Sequence, residues 1–409
     1  MKILDVSPIG VYPLTGGGQK RIHNINIEIS KYHQIFLFSQ GIRYFELKFP
    51  LKSWITRINH NYMEYRFTSY LDISLKFILS LISRYFSVIY SDKILKLYDP
   101  KILKNKTIEC DIIKVEYPWQ FSYIFDKKPK DTPIILVEHN AEFELYDKLM
   151  NHNNLILSKS IKKLLISIAI EKEKFAVENA DIIFTVSEMD KNKLIKKYDV
   201  KKSKFYVIPN GVDVSRFTVP TLTEKNRYKR QIIGDPNKKV ILFVGSLYYP
   251  NIEAVKFIIH KIAPEVFKHH KNSLFLIVGS VGNYFKNISL NKNISITGKV
   301  EDIVPYFKIA DIAINPIISG SGTNIKLLEY LASGIPTITT PFGIRGIDVE
   351  SNKHVMVKDI EDFSEGILEL LSDEDLQKKL SINGRKLVEE KYDWKKISKE
   401  ELKILNQIV

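Results

Sequence analysis

The chain has 409 residues, 44% hydrophobic and 26% charged, which excludes a mostly disordered chain and leaves room for two or three domains. Lys and Arg number 61 against 47 Asp and Glu, a net +14 that suits nucleic acid, nucleotides, phospholipid headgroups or pyrophosphate-linked substrates. The single cysteine, Cys110, excludes an internal disulfide framework and a Cys-rich zinc site, and fits a reducing, cytoplasmic setting.

Short apolar runs alternate with longer amphipathic stretches. Residues 2–7 read as a strand, followed by the turn Gly16-Gly17-Gly18 and a helix over 20–32. Asp5 interrupts this start, which predicts no secretory leader. Strands are predicted at 35–39, 111–116 and 134–138, then a long helix over 161–178. A strand at 181–186, a helix over 188–198 and a strand at 205–208 complete the first half. The pattern restarts after Pro220, with 221–237 either a linker or a first helix. Strands follow at 240–244, 274–278, 294–297, 311–315 and 337–340, with helices over 253–269 and 325–332. Ser372 and Asp375 have the spacing of a capping box, and 393–408 reads as a last amphipathic helix. No apolar run is long enough to predict a transmembrane helix.

Nearly continuous apolar strands alternating with helices predict parallel sheets covered on both faces. The expectation is an α/β chain of two doubly wound, Rossmann-like domains, 1–209 and 210–391, with 392–409 a helix crossing back onto the first. Such sheets bind ligands at the carboxyl ends of their strands, so two of them facing each other would make a cleft there.

The most informative stretch is Ser319-Gly320-Ser321-Gly322-Thr323-Asn324-Ile325-Lys326, running on through Glu329 to Gly334 and Pro336. Here a glycine-rich loop follows a strand and opens a helix, whose first amides can hold a phosphate. Lys326 and Glu329, three apart, share a helix face. A cation there can meet a diphosphate, and a carboxylate can accept from ribose hydroxyls. Taken alone, the same residues also describe a plain loop-to-helix junction with a surface ion pair.

The order Gly-Ser-Gly-Thr-x-Ile-Lys-Leu-Leu-Glu-x-x-Ala-x-Gly-x-Pro resembles the donor-binding segment of family 4 glycosyltransferases, which have the GT-B fold. Val207-Ile208-Pro209-Asn210-Gly211-Val212-Asp213 resembles the family's interdomain motif. Phe243-Val244-Gly245-Ser246-Leu247, with Pro250-Asn251, is similar to the opening of its second domain. Ile277-Val278-Gly279, Thr297-Gly298-Lys299-Val300, the Gly16-Gly17-Gly18 turn and Glu138-His139-Asn140 also fit in order. The resemblance breaks across about 42–108.

The resemblance implies a retaining, metal-independent hexosyltransferase without cofactor. It would use a UDP- or GDP-sugar, and a glycan or lipid-linked acceptor, in bacterial surface polysaccharide synthesis. The first domain would bind the acceptor and the second the nucleotide-sugar. Glu329 would bind the ribose, and the amides of Gly322, Thr323, Asn324 and Ile325 the diphosphate. Gly17 and Gly18 would bring main-chain amides to the donor phosphate, and His139 would sit by the transferred sugar. His139, Lys326 and Glu329 would be the catalytic helpers. Gly17, Gly18, Asn210, Gly245, Ser246, Lys299, Val300 and Gly320 to Ile325 would line the donor site. Two departures stand out: Ser321 where many members have Glu, and Ser246 and Asn251 in the region where many have an Arg and a Lys. Lys326 and Arg345 are the candidate replacements for that lost charge.

Other features keep two readings. His139 alone could be a structural strand-end histidine. The segment 74–91 has a narrow polar stripe and a wide apolar face in a basic region, which fits a helix packed on its own sheet or one lying on an anionic membrane. The lysine run from Lys191 to Lys204 reads as a solvated surface, without a nucleic-acid partner. No metal-ligand spacing appears, and Asp373 and Asp375 sit at a predicted helix start. Two other functions remain open: a nucleotide-sugar 2-epimerase of the same architecture, and a catalytically inactive sugar-nucleotide-binding subunit.

Overall fold

The structure, a computed structural model, describes the chain except residues 13, 15, 42–52, 72, 75–76, 79–87, 152–156, 287, 289–290, 321 and 409. It divides into two units, Met1–Pro209 with Ile397–Val409, and Asn210–Lys396. Among the described residues no helix is long and apolar enough to cross a membrane.

The first unit is built on eight strands: β1 (Lys2–Ser7), β2 (Gln34–Gln40), β3 (Trp54–Arg57), β4 (Tyr62–Phe67), β5 (Ile112–Glu116), β6 (Ile134–Glu138), β7 (Ile182–Thr185) and β8 (Phe205–Val207). Their order is β3-β4-β2-β1-β5-β6-β7-β8. All neighbours run parallel except β3 and β4, an antiparallel pair at one edge that the sequence reading did not predict. Strands β5 and β6 are buried along their whole length, as expected of a sheet covered on both faces. Strand order reverses between β1 and β5, and the crevice outside the carboxyl ends at such a reversal is where doubly wound sheets take ligands. The loops that follow β1 and β5 therefore border that crevice.

The second unit has six parallel strands: β9 (Lys239–Val244), β10 (Ser273–Val278), β11 (Ile294–Gly298), β12 (Ile312–Asn315), β13 (Thr337–Thr339) and β14 (Met356–Val357). The order β11-β10-β9-β12-β13-β14 reverses between β9 and β12. Side chains alternate between two cores. Val240 and Leu242 pack on one face with Leu327 and Leu331, and Ile241 and Phe243 on the other with Ala254 and Ile258. Each such side chain, fully removed from water, contributes roughly 1.5–3 kcal/mol.

Local chemistry moved several predicted boundaries. The first helix starts at Gly17, not residue 20. Gln19 ties the turn down, accepting from the Gly16 amide at 2.9 Å and donating to the Gly10 carbonyl at 2.5 Å. Residues 221–237 contain the helix Leu222–Ile233, opened by a capping box of Thr221 and Glu224. The helix predicted over 253–269 begins at Tyr249 and passes through a π-helical turn, Ile258–Ile262, before Ala263–His269. Pro264 sits just beyond that turn and has no N–H to donate backward, which favours the wider spacing. The predicted Ser372/Asp375 capping box is corrected: Asp373 caps, accepting from the Leu376 amide at 2.8 Å, while Ser372 bonds back to the Glu369 carbonyl.

Gly279, after β10, has φ +110°, and a Cβ there would lie 2.4 Å from the Gly245 carbonyl oxygen. Backbone cannot move aside as a flexible side chain can. Gly279→Ala is expected to destabilise the second unit by about 2–4 kcal/mol, combining positive-φ strain with overpacking. An unchanged urea midpoint would contradict this.

Candidate active site

In the second unit, the loops after β9 and β12 meet at the strand-order reversal. Gly245 and Ser246 follow β9, and residues 316–324 lead from β12 into the helix Ile325–Ala332. Gly320 and Gly322 both have positive φ, a conformation only glycine adopts cheaply. Arg345 holds this loop from behind: its guanidinium donates to the carbonyls of Gly320 at 3.3 Å and Gly322 at 2.9 Å, and its face lies over the Phe342 ring. Asn324 donates to the Gly343 carbonyl at 3.1 Å. Thus Arg345 shapes the loop backbone through its carbonyls. The hydroxyl of Thr323 is buried and has no partner among the described residues.

Lys326 is half-buried on the first turn of that helix. Its Nζ donates to Asn251 Oδ1 at 2.6 Å and lies 4.3 Å from the centre of the Phe243 ring. Burial pushes the ammonium down to about 7, with Glu329 opposing the shift. Asn251 in turn donates to the Ser246 carbonyl at 2.9 Å. One of the two departures is thereby given a geometry: Asn251 accepts the ammonium of a lysine supplied by the helix. Glu329 is buried one turn further along, 6% exposed. Ser246 and Lys299 are exposed, Val300 packs against the second unit's core, and Asn210 is buried at that unit's start. Ser321 lies outside the described residues.

The first unit carries a second constellation. His139 follows β6 and is 7% exposed. Its Nε2 lies 2.6 Å from Glu116 Oε2, the last residue of β5, and its ring stacks on Tyr117 with centroids 4.0 Å apart and planes 12° from parallel. Tyr117 has φ +69°, strained for a residue with a side chain, at the turn after β5. A Cβ on Gly18 would lie 2.3 Å from the Tyr117 hydroxyl and 3.5 Å from His139 Nδ1. Glycine therefore lets the first helix start directly against this stack. Gly17, His139 and Gly18 do gather at the reversal of strand order, with Gly17 opening the helix.

Glu138 is not a partner of His139. Both its carboxylate oxygens are buried without a partner among the described residues, and its electrostatic neighbours are Glu173, Glu142 and Asp190. Burial first, then those like charges, push its carboxyl well above the ordinary range. Glu116 and Tyr117 were missed from the sequence. The available signal was Ile-Ile-Lys-Val-Glu at 112–116, where charges two apart fall on one face of a strand that is otherwise apolar. Among the described residues no three His, Cys, Asp or Glu side chains are grouped as metal ligands would be.

Known proteins repeat this architecture and sequence. The family described as Glycosyltransferase Family 4 matches residues 76–216, and that described as Glycosyl transferases group 1 matches residues 238–373. An uncharacterized glycosyltransferase of Methanocaldococcus jannaschii is 26% identical over 300 residues, 70% of this chain and 71% of that protein. The UDP-Gal:alpha-D-GlcNAc-diphosphoundecaprenol alpha-1,3-galactosyltransferase of Escherichia coli is 30% identical over 182 residues, 41% of this chain and 44% of that one. The crystal structure of HepE from Anabaena, in complex with UDP and glucose, superposes with a TM-score of 0.69 at 14% identity over all of both chains. Two doubly wound units, each with its loop motifs at the strand-order reversal, and these matches in both halves support a family 4-like glycosyltransferase of GT-B fold.

Proposed function

We propose that this glycosyltransferase moves a hexosyl group from a UDP- or GDP-sugar to a glycan or lipid-linked acceptor, with retention and without a metal. The observation that carries the proposal is the ammonium of Lys326, held by Asn251 at the mouth of a glycine loop that Arg345 braces. Breaking an anomeric bond to a diphosphate builds negative charge on the leaving group. A preorganised cation and loop amides stabilise that charge most when it is largest. Glu329, on the same helix, is the carboxylate we assign to the ribose hydroxyls, and His139 the group we assign to the sugar. The activity of the Escherichia coli relative supports a diphospholipid-linked acceptor, and UDP with glucose in HepE supports the donor class.

We assign nucleotide-sugar binding to 210–391, acceptor binding to 1–209, and to 392–409 a place on the first domain. The segment 74–91, read either as a helix packed on its own sheet or as one touching an anionic membrane, lies largely outside the described residues, although Phe77 and Ile78 in it are exposed.

The test is a screen of UDP-, GDP-, ADP-, CMP- and dTDP-sugars with and without membrane extract. Release of UDP or GDP that rises with extract is the expected result. Tight binding without release would instead identify a binding subunit. Glu329→Ala is expected to weaken nucleotide binding by about 1–3 kcal/mol through lost charge-assisted hydrogen bonds. Calorimetry giving the parent affinity would remove Glu329 from the ribose.

A further inference from the structure

We infer that Glu116 is a positioning residue that fixes His139 in its Nε2–H tautomer and leaves Nδ1 as a hydrogen-bond acceptor beside the Gly17–Gly18 turn. The inference rests on the proposed function only for what Nδ1 then accepts from, a hydroxyl of the sugar or of the acceptor.

The geometry is one-sided. Glu116 Oε2 lies 2.6 Å from Nε2, while Nδ1 lies on the side of Gly18, 3.5 Å from where a Cβ would stand. Stacking on Tyr117 holds the ring plane, so the imidazole cannot turn Nε2 away from Glu116 without breaking the stack. An ionised carboxylate only accepts, so Nε2 must carry the hydrogen. A neutral imidazole then presents a lone pair at Nδ1.

Proton bookkeeping gives the pair a single output. Glu116 Oε1 faces the Lys114 ammonium at 3.7 Å, which disfavours a proton there, so one proton added to the ionised pair places an N–H at Nδ1. The second proton then sits on Oε2 or on Nε2 of the short bond, and the result at Nδ1 is the same. Nδ1 therefore accepts while the pair is ionised and donates once it has gained a proton. The two groups titrate as one unit.

The surroundings set where that happens. Asp5 on β1, Arg21 on the helix Gly17–Ile29, Lys114 on β5, Glu401 on the last helix, and Tyr62 and Tyr117 are the titratable and charged neighbours. Burial pushes Glu116 up to about 7, with Lys114 and Arg21 pulling it back. Burial and then Arg21 hold His139 well below its ordinary value. The pair is therefore expected to gain its proton near neutrality.

The test reads the nitrogens directly, in the intact chain without substrate. Protein labelled with 15N-histidine is studied by NMR, with His139→Gln assigning the signal among the nine histidines. At about pH 9, well above the ordinary histidine range, the parent is expected to show a protonated Nε2 and a bare Nδ1. On acidification Nδ1 is expected to gain its proton. Glu116→Leu is expected to mix or invert the tautomers, whereas Glu116→Gln, whose amide oxygen still accepts, keeps the alkaline tautomer. With an assigned donor, Glu116→Leu is expected to lower kcat about 10- to 100-fold with donor KM nearly unchanged, and Glu116→Gln to recover much of it at alkaline pH. A protonated Nδ1 in the parent at alkaline pH, or an unchanged nitrogen pattern in Glu116→Leu, overturns the inference. If Glu116→Leu does not fold, the parent spectrum still decides. Failure of the transferase reading would leave the nitrogen pattern as expected and show only as absent turnover.

Discussion

Lys326→Met is expected to lower turnover by roughly 10²–10³-fold and to abolish a pH dependence of nucleotide binding that the parent shows. The rate effect is that of removing one preorganised group facing developing negative charge. The pH effect follows from where the ammonium sits. Burial pushes Lys326 down to about 7, with the Glu329 carboxylate opposing, so at pH 8 the empty site holds mostly the neutral amine. A bound diphosphate favours the charged form and raises this value again. Binding at pH 8 therefore takes up a proton. Affinity should rise as pH falls from about 9 to 7, by up to about tenfold per unit, and level off below 7 where the lysine is already charged. Further down, the ligand's own terminal phosphate gains a proton near pH 6 and affinity should decline. Calorimetry in two buffers of different ionisation enthalpy reads the proton uptake. A parent and Lys326→Met with the same pH slope would show that this amine does not meet the diphosphate.

The donor segment was legible because its signals are local. The helix Ile325–Ala332 was predicted with its observed ends, since apolar spacing and the glycine turn before it suffice. The hairpin of β3 and β4 was not legible, although Tyr62–Phe67 alternates as a strand should. Its buried face carries Glu64 and Arg66, paired at 3.0 Å and both almost fully buried. Glu64 accepts from the amides of Val11 at 2.9 Å and Tyr12 at 3.1 Å, and Arg66 bonds the Tyr12 carbonyl. Charges on a strand read as solvent-facing until the distant backbone that satisfies them is known. The same reason hid Glu116. Its partner His139 follows the neighbouring strand β6, and no spacing within β5 announces that contact.

Glu401→Ala is expected to destabilise the first unit by about 3–5 kcal/mol, toward the lower end of that range. Glu401 is buried on the helix Trp394–Ile408, and its Oε1 lies 2.7 Å from Nζ of Lys114, buried on β5. Burial alone would lower the Lys114 ammonium, yet Glu401, Asp5 and Glu116 together raise it. The attraction therefore outweighs desolvation for the charged lysine. Removing Glu401 leaves that ammonium in the sheet with Asp5 at 3.9 Å and Glu116 at 3.7 Å, neither at hydrogen-bonding distance. Those two remaining carboxylates are why the loss should fall short of an unpaired buried charge. Lys114→Met with Glu401→Leu should cost much less than the two single changes summed, because shape-matched apolar groups leave no unpaired charge. Urea unfolding of the four species gives the coupling directly. Simple additivity would mean that packing of the last helix, and not the ion pair, holds Glu401 in the first unit.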